Sequence, residues 1–182
     1  MWRTLALICG MTLAGDAAAQ APKAEGAPAP KVEYVERNEV TPHGLAPGMK
    51  VAELKSSGGR SFQISFVKGD EVASGLLDFA EKYHVTNSNF TGLGAFDHAV
   101  LGWFDLAKRL HKKNRIDEEM EVGSFVGNIT LDSKGKPVVH AHCVVGLTDG
   151  RAMAGHFVEG HVSLVMQIYL TDSEPLTPPG TK

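Results

Sequence analysis

Between Pro137 and Phe157 the chain reads PVVHAHCVVGLTDGRAMAGHF, two runs of β-branched and small residues on either side of a Thr-Asp-Gly turn signal. Such a stretch predicts a β-hairpin, because Asp and Gly suit the turn and the flanks suit a pleated strand. It also sets His140 and His142 one residue apart. Strand geometry puts both on one face, about 7 Å apart along the strand. Two imidazoles at that spacing can share one metal ion, and His156, past the turn, is the nearest third ligand. Three protein ligands leave a fourth position for water or substrate.

Register decides whether His156 joins them. A two-residue turn at Asp149-Gly150 would pair His142 with Phe157 and send His156 to the opposite face. A three-residue loop pairing Thr148 with Ala152, or a bulge at Gly155, brings His156 onto the face of His140 and His142. On the residues alone two readings stay open, a metal site or ordinary strand histidines hydrogen-bonded to their neighbours. His43, His84, His98, His111 and His161 read as structural or exposed.

The rest of the chain extends the strand-rich pattern. SFQISFV alternates as a strand does, and GDEVASGLLDFAEKYHV follows with Val72, Leu76, Phe79, Ala80 and Tyr83 on one helical face and Asp70 as N-cap. NSNFTGLGAFDHAVLGWFD reads as two strands with a bend between them, its glycines allowing close backbone packing. EMEVGSFVGNITL and HVSLVMQIYL are further strands, and DSKGKP is a turn. One principal helix against many strands predicts an α+β domain with a mainly antiparallel sheet.

At the start, MWRTLALICGMTLAGDAAAQA joins a basic Arg3 to a short apolar run and an A-x-A site before Gln20. That is the layout of a secretory signal, so residues 1–19 are expected to be removed and the product to be periplasmic or secreted, with no membrane span. Residues 20–50, rich in Ala and Pro, read as a disordered linker, 51–172 as the folded domain and 173–182 as an irregular tail. Cleavage removes Cys9 and leaves Cys143 as the lone cysteine, so no internal disulfide forms. Its valine neighbours mark it as a small buried apolar residue.

With 18 Lys and Arg against 21 Asp and Glu, the chain has no bulk attraction for nucleic acid or anionic lipid. Its one basic cluster, Lys108, Arg109, Lys112, Lys113 and Arg115, reads as an exposed hairpin or loop. No G-x-S-x-G elbow, Walker loop or zinc-ribbon cysteine pattern is present. Glu119 and Glu121 share a strand face and read as a solvated edge.

The blocks GLGAFDHAVLGWFD, EVGSFVGNITL and GKPVVHAHCVVGLTDGRAMAGHFVEGHV, with the β-helix-β unit before them, resemble in order the plant and prokaryote conserved (PPC) domain, also called domain of unknown function 296. The likeness covers nearly all of Val51 to Asp172. It implies a compact α/β domain, mainly antiparallel, that assembles as a homotrimer. In plants the domain accompanies an R-G-R-P AT-hook that enters the DNA minor groove, a motif this chain lacks.

The family fold is also similar to acetolactate decarboxylase, whose catalytic zinc is held by an H-x-H pair and a later histidine. His140, His142 and His156 stand at the matching positions. The resemblance implies a zinc-dependent or other divalent-metal protein that binds an unidentified small molecule, or a metal-dependent hydrolase or lyase. The alternatives are a DNA-binding module, with nucleic acid a poor fit to an exported chain, and a trimeric interaction module without chemistry.

Overall fold

The computed structural model describes residues 32–36, 41–56 and 59–173. The expected leader at 1–19, Cys9, much of the linker and tail residues 174–182 lie outside them.

The described chain forms strands β1 (Tyr34–Val35), β2 (Lys50–Leu54) and β3 (Arg60–Val67), helix α1 (Val72–Tyr83), then β4 (Asn87–Asp105), β5 (Leu110–Ile116), β6 (Met120–Leu131), β7 (Pro137–Leu147) and β8 (Ala152–Asp172). The pairings that build the sheet are antiparallel, in the order β1-β5-β4-β6-β7-β8-β3-β2. One further antiparallel pairing, β4 with β8, makes β4, β6, β7 and β8 close on themselves as a ring. With a single described helix, the fold is the expected α+β arrangement dominated by antiparallel sheet.

Two strands are longer than the sequence suggests. The stretch read as two strands is one, β4, and AMAGHF and HVSLVMQIYL are both parts of β8. Each bends instead of breaking, through register shifts such as the one between Gly92 and Gly94. A side chain at Gly94 would meet the Val165 carbonyl oxygen at 2.4 Å, so the backbones of β4 and β8 approach there as only glycine permits.

The core fills the inside of this ring. On β7 the odd residues Ala141, Cys143 and Val145 are buried, while the even residues face outward. Phe96, Phe125 and Phe157 meet them from β4, β6 and β8, the Phe125 and Phe157 rings edge to face at 4.8 Å. The helix lays Val72, Leu76, Phe79 and Ala80 inward, and Phe79 contacts Phe62 of β3 at 5.1 Å.

Its N-cap is Glu71 and not Asp70. The Glu71 carboxylate accepts from the Ala73 and Ser74 N–H groups, at 3.0 and 2.6 Å. Asp70 instead accepts from Gly48 and Val67 N–H, closing the turn before the helix.

Part of the span expected to be linker packs on the domain. Val35 is buried where β1 pairs with β5, Ala46 joins the core, and Leu45 N–H donates to Ser74 Oγ at 3.0 Å. Isolated apolar residues among alanines and prolines carry no period, so the sequence pattern does not reveal them.

Candidate metal centre

The hairpin of β7 and β8 turns through a three-residue loop, Thr148 to Gly150. Leu147 N–H donates to the Arg151 carbonyl at 2.8 Å, and Gly150 N–H donates to the Leu147 carbonyl at 2.9 Å. Gly150 takes φ +83°, the left-handed conformation that completes this kind of turn. Asp149 fixes it by accepting from Arg151 N–H at 3.0 Å. The ladder then pairs Gly146 with Ala152 and runs evenly to His142 opposite His156.

The loop has the length expected but sits one residue earlier, so the register differs from the expected pairing of Thr148 with Ala152. The offset is a full strand repeat, which leaves His156 on the same face. No bulge at Gly155 is needed. Gly155 serves another purpose, since a side chain there would lie 2.7 Å from the Gly102 carbonyl oxygen of β4.

All three sequence-predicted ligands come together. His140, His142 and His156 each offer a ring nitrogen, and these nitrogens lie within 4.8 Å of one another. Ring centroids are 5.3 to 5.7 Å apart. Zinc held by nitrogens at roughly 2.0–2.1 Å in tetrahedral geometry sets its donors about 3.3 Å apart, a span these rings reach by rotation about their side-chain bonds. His140 and His142 are exposed and His156 half-buried, so the centre opens to solvent.

A fourth histidine supports the site and was not assigned to it from sequence. His111 of β5 is buried, and its ring stacks on His156 with centroids 4.4 Å apart and planes 14° from parallel. It reaches this place over Gly102, whose missing side chain leaves room for the ring. Lys113 and His156 both pair with Gly102, one from each side, so they share a row of the sheet. The basic cluster is therefore a hairpin, as expected, with Lys113 on the row that carries His156.

The Plants and Prokaryotes Conserved (PCC) domain matches residues 54–174. The chain belongs to this family. A PPC protein from Pyrococcus horikoshii is 27% identical, with TM-score 0.61 over 69% of this chain and 83% of that one. A metal-containing protein from Archaeoglobus fulgidus is 25% identical, with TM-score 0.59 over 65% of this chain and 84% of that one. A protein from Bacteroides thetaiotaomicron proposed to bind DNA shares the fold at 21% identity, with TM-score 0.63 over 69% and 85%. Among curated proteins none matches.

Within this PCC domain the remaining histidines are engaged elsewhere. His98 meets Asp117, His161 meets Glu159 at 3.0 Å, and His84 caps α1 with φ +52°. His43, ahead of the matched span, meets Asp78 at 2.6 Å. Glu119 and Glu121 are exposed as expected, but not at an edge: Glu121 lies on β6, paired with β4 on one side and β7 on the other, and so sits on a solvated sheet face. Lys108 is held by Asp105 at 2.8 Å and lies over the Tyr34 ring. Only the triad gathers three metal-binding side chains among the described residues. Its all-imidazole donor set suits zinc and neighbouring transition metals rather than calcium or magnesium.

Proposed function

We propose that this PCC-domain chain binds one divalent metal ion, zinc, through His140, His142 and His156, and uses the centre to hold a small-molecule ligand. The observation that carries the reading is the convergence of three imidazole nitrogens within 4.8 Å on one open face. The relative from Archaeoglobus fulgidus, a metal-containing protein of the same fold, supports it. A bound zinc would supply Lewis-acid polarisation of a coordinated group, the basis for a hydrolase or lyase activity. The protein's own part is orientation. The β7–β8 ladder fixes His142 against His156, and the His111 ring limits how His156 can turn.

Metal analysis of the purified protein tests this directly. We expect one zinc per chain, lost in His142→Ala with the fold retained, because the core lies on the other face of β7. A wild-type protein that retains no metal after incubation with zinc would overturn the reading.

The proposal extends to an exported, homotrimeric chain. The leader pattern supports export, and a mature terminus at Gln20 in the periplasmic fraction is the expected result. Exposed apolar residues support assembly, since Tyr169 and Val126 lie along one register row and Leu93 is 63% exposed beside it. Light scattering should return three chain masses.

A second reading, DNA binding, is favoured by the relative from Bacteroides thetaiotaomicron and by the basic β4–β5 hairpin. The net charge of −3 weighs against it. Binding to duplex DNA that survives physiological salt would favour this alternative.

A further inference from the structure

The β4–β5 hairpin stands clear of the ring. β4 leaves β6 after Phe96 and β8 after Gly102, so from Trp103 to Asp105 its only described partner is β5. The turn that follows is tightly built. The Asp105 carboxylate accepts from the Ala107 and Lys108 N–H groups at 3.0 and 3.1 Å, and its carbonyl accepts from Arg109 N–H at 2.7 Å. Arg109 takes the left-handed φ of +58° that closes the turn.

On this projecting frame apolar side chains point to water. Trp103 is 62% exposed and Leu106, at the tip, 83%, while Phe104 lies beside the His111 ring on the other face. The turn is held by backbone groups and Asp105, so nothing in its geometry requires a leucine at position 106. Basic groups surround these side chains. Lys112 stands directly across the ladder from Trp103, and Arg109 is next to the tip. Lys108 is paired with Asp105, but among the described residues no carboxylate lies within ion-pair reach of Arg109 or Lys112. Three basic residues and one acidic residue fall between Trp103 and Lys112, in a chain whose net charge is −3.

We propose that this hairpin docks the protein on a bilayer surface that carries anionic lipid. Leu106 and the Trp103 indole enter the interfacial layer, and Arg109 and Lys112 lie among the headgroups. An indole suits that depth because its body is apolar and its N–H polar. Basic side chains gain where the surface is negative, and here they flank the apolar tip. The attraction is local, so the chain's overall negative charge does not oppose it beyond a screening length. A nucleic acid would use Arg109 and Lys112 but offers no apolar layer for Leu106. The inference does not depend on the metal reading.

The test is fluorescence of the full chain carrying Trp2→Phe, which leaves Trp103 as the only indole. Vesicles of phosphatidylcholine with phosphatidylglycerol should shift its emission to the blue at low salt, and brominated acyl chains should quench it. Pure phosphatidylcholine should produce only a small fraction of either change. Lys112→Gln and Arg109→Asn should each weaken vesicle binding about fivefold, the scale for one basic residue near an anionic surface, asparagine being chosen because it tolerates positive φ. Leu106→Ser should abolish the quenching. Binding driven by the amino-terminal apolar run would leave Trp103 emission unchanged and overturn the proposal. A shift that duplex DNA produces and anionic vesicles do not would also overturn it.

Discussion

His111 and His156 lie ring upon ring, 4.4 Å between centroids and 14° from parallel, although they are 45 residues apart and on strands that do not pair with each other. Gly102 between them makes the contact geometrically available. The arrangement limits the rotation of a ligand ring before any metal arrives.

Replacing His111 with Ala should therefore weaken zinc binding roughly tenfold, the usual scale for a residue that orients a ligand. His111→Phe, which keeps a flat ring against His156, should recover most of that loss. Competition with a chromogenic chelator measures both. If thermal stability falls in the Ala variant while zinc affinity is unchanged, the stack serves packing only.

Gly155→Ala should perturb the same centre from the backbone. The added methyl would sit 2.7 Å from the Gly102 carbonyl oxygen and 3.2 Å from Leu101 Cβ, so β8 must move away from β4 beside His156. Denaturant unfolding should show a loss of about 1–3 kcal/mol, the common range for an overpacked site. Zinc affinity should fall with it, even though all three ligands remain.

The hairpin, the helix and the H-x-H face were legible because each depends on local pattern alone. His140 and His142 share a face in any strand. His156 depends on the parity of a turn that Asp149 and Gly150 could close in two ways, so the residues alone left its side undecided. His111 was beyond reach for a different reason. Its contact arises from β5 and β8 flanking β4 at Gly102, a tertiary arrangement with no local signature. Likewise β4 and β8 read as shorter strands because glycines that mark bends also mark ends.

Glu71 gives a pH signature. Burial, the largest influence, raises its carboxyl above the ordinary value of 4.5, and the hydrogen bonds from Ser74, Gly160 and Ala73 and the charge of His161 do not fully offset this. The folded state thus holds this proton more tightly than the unfolded chain. Stability from the group is complete below pH 4.5 and is lost as pH rises through the folded value. Glu71→Gln, which cannot titrate, should be less stable than wild type by a margin that narrows as pH rises from about 4 to 8. Chemical denaturation across that range measures it, and a margin that widens would contradict the assignment.

Cys143 should be silent in the native protein. It is buried on the core face of β7, and burial pushes its thiol up to about 12. A thiolate is the reactive form, so Ellman's reagent at mildly alkaline pH should leave Cys143 almost unmodified in the native protein and modify it fully after unfolding. Stoichiometric labelling of the native state would show that β7 opens readily or that the thiol is accessible.

The loop from Thr148 to Gly150 carries a constraint of its own. Surface loops commonly tolerate inserted or deleted residues, yet here the count fixes which side of the sheet His156 occupies. Losing one residue from the loop would turn His156 toward the packed interior and present Phe157 to solvent, exchanging a ligand for a core ring without altering either. A single-codon deletion far from the three imidazoles is thus equivalent to removing one of them, and sequence comparison that scores only the histidines would overlook it.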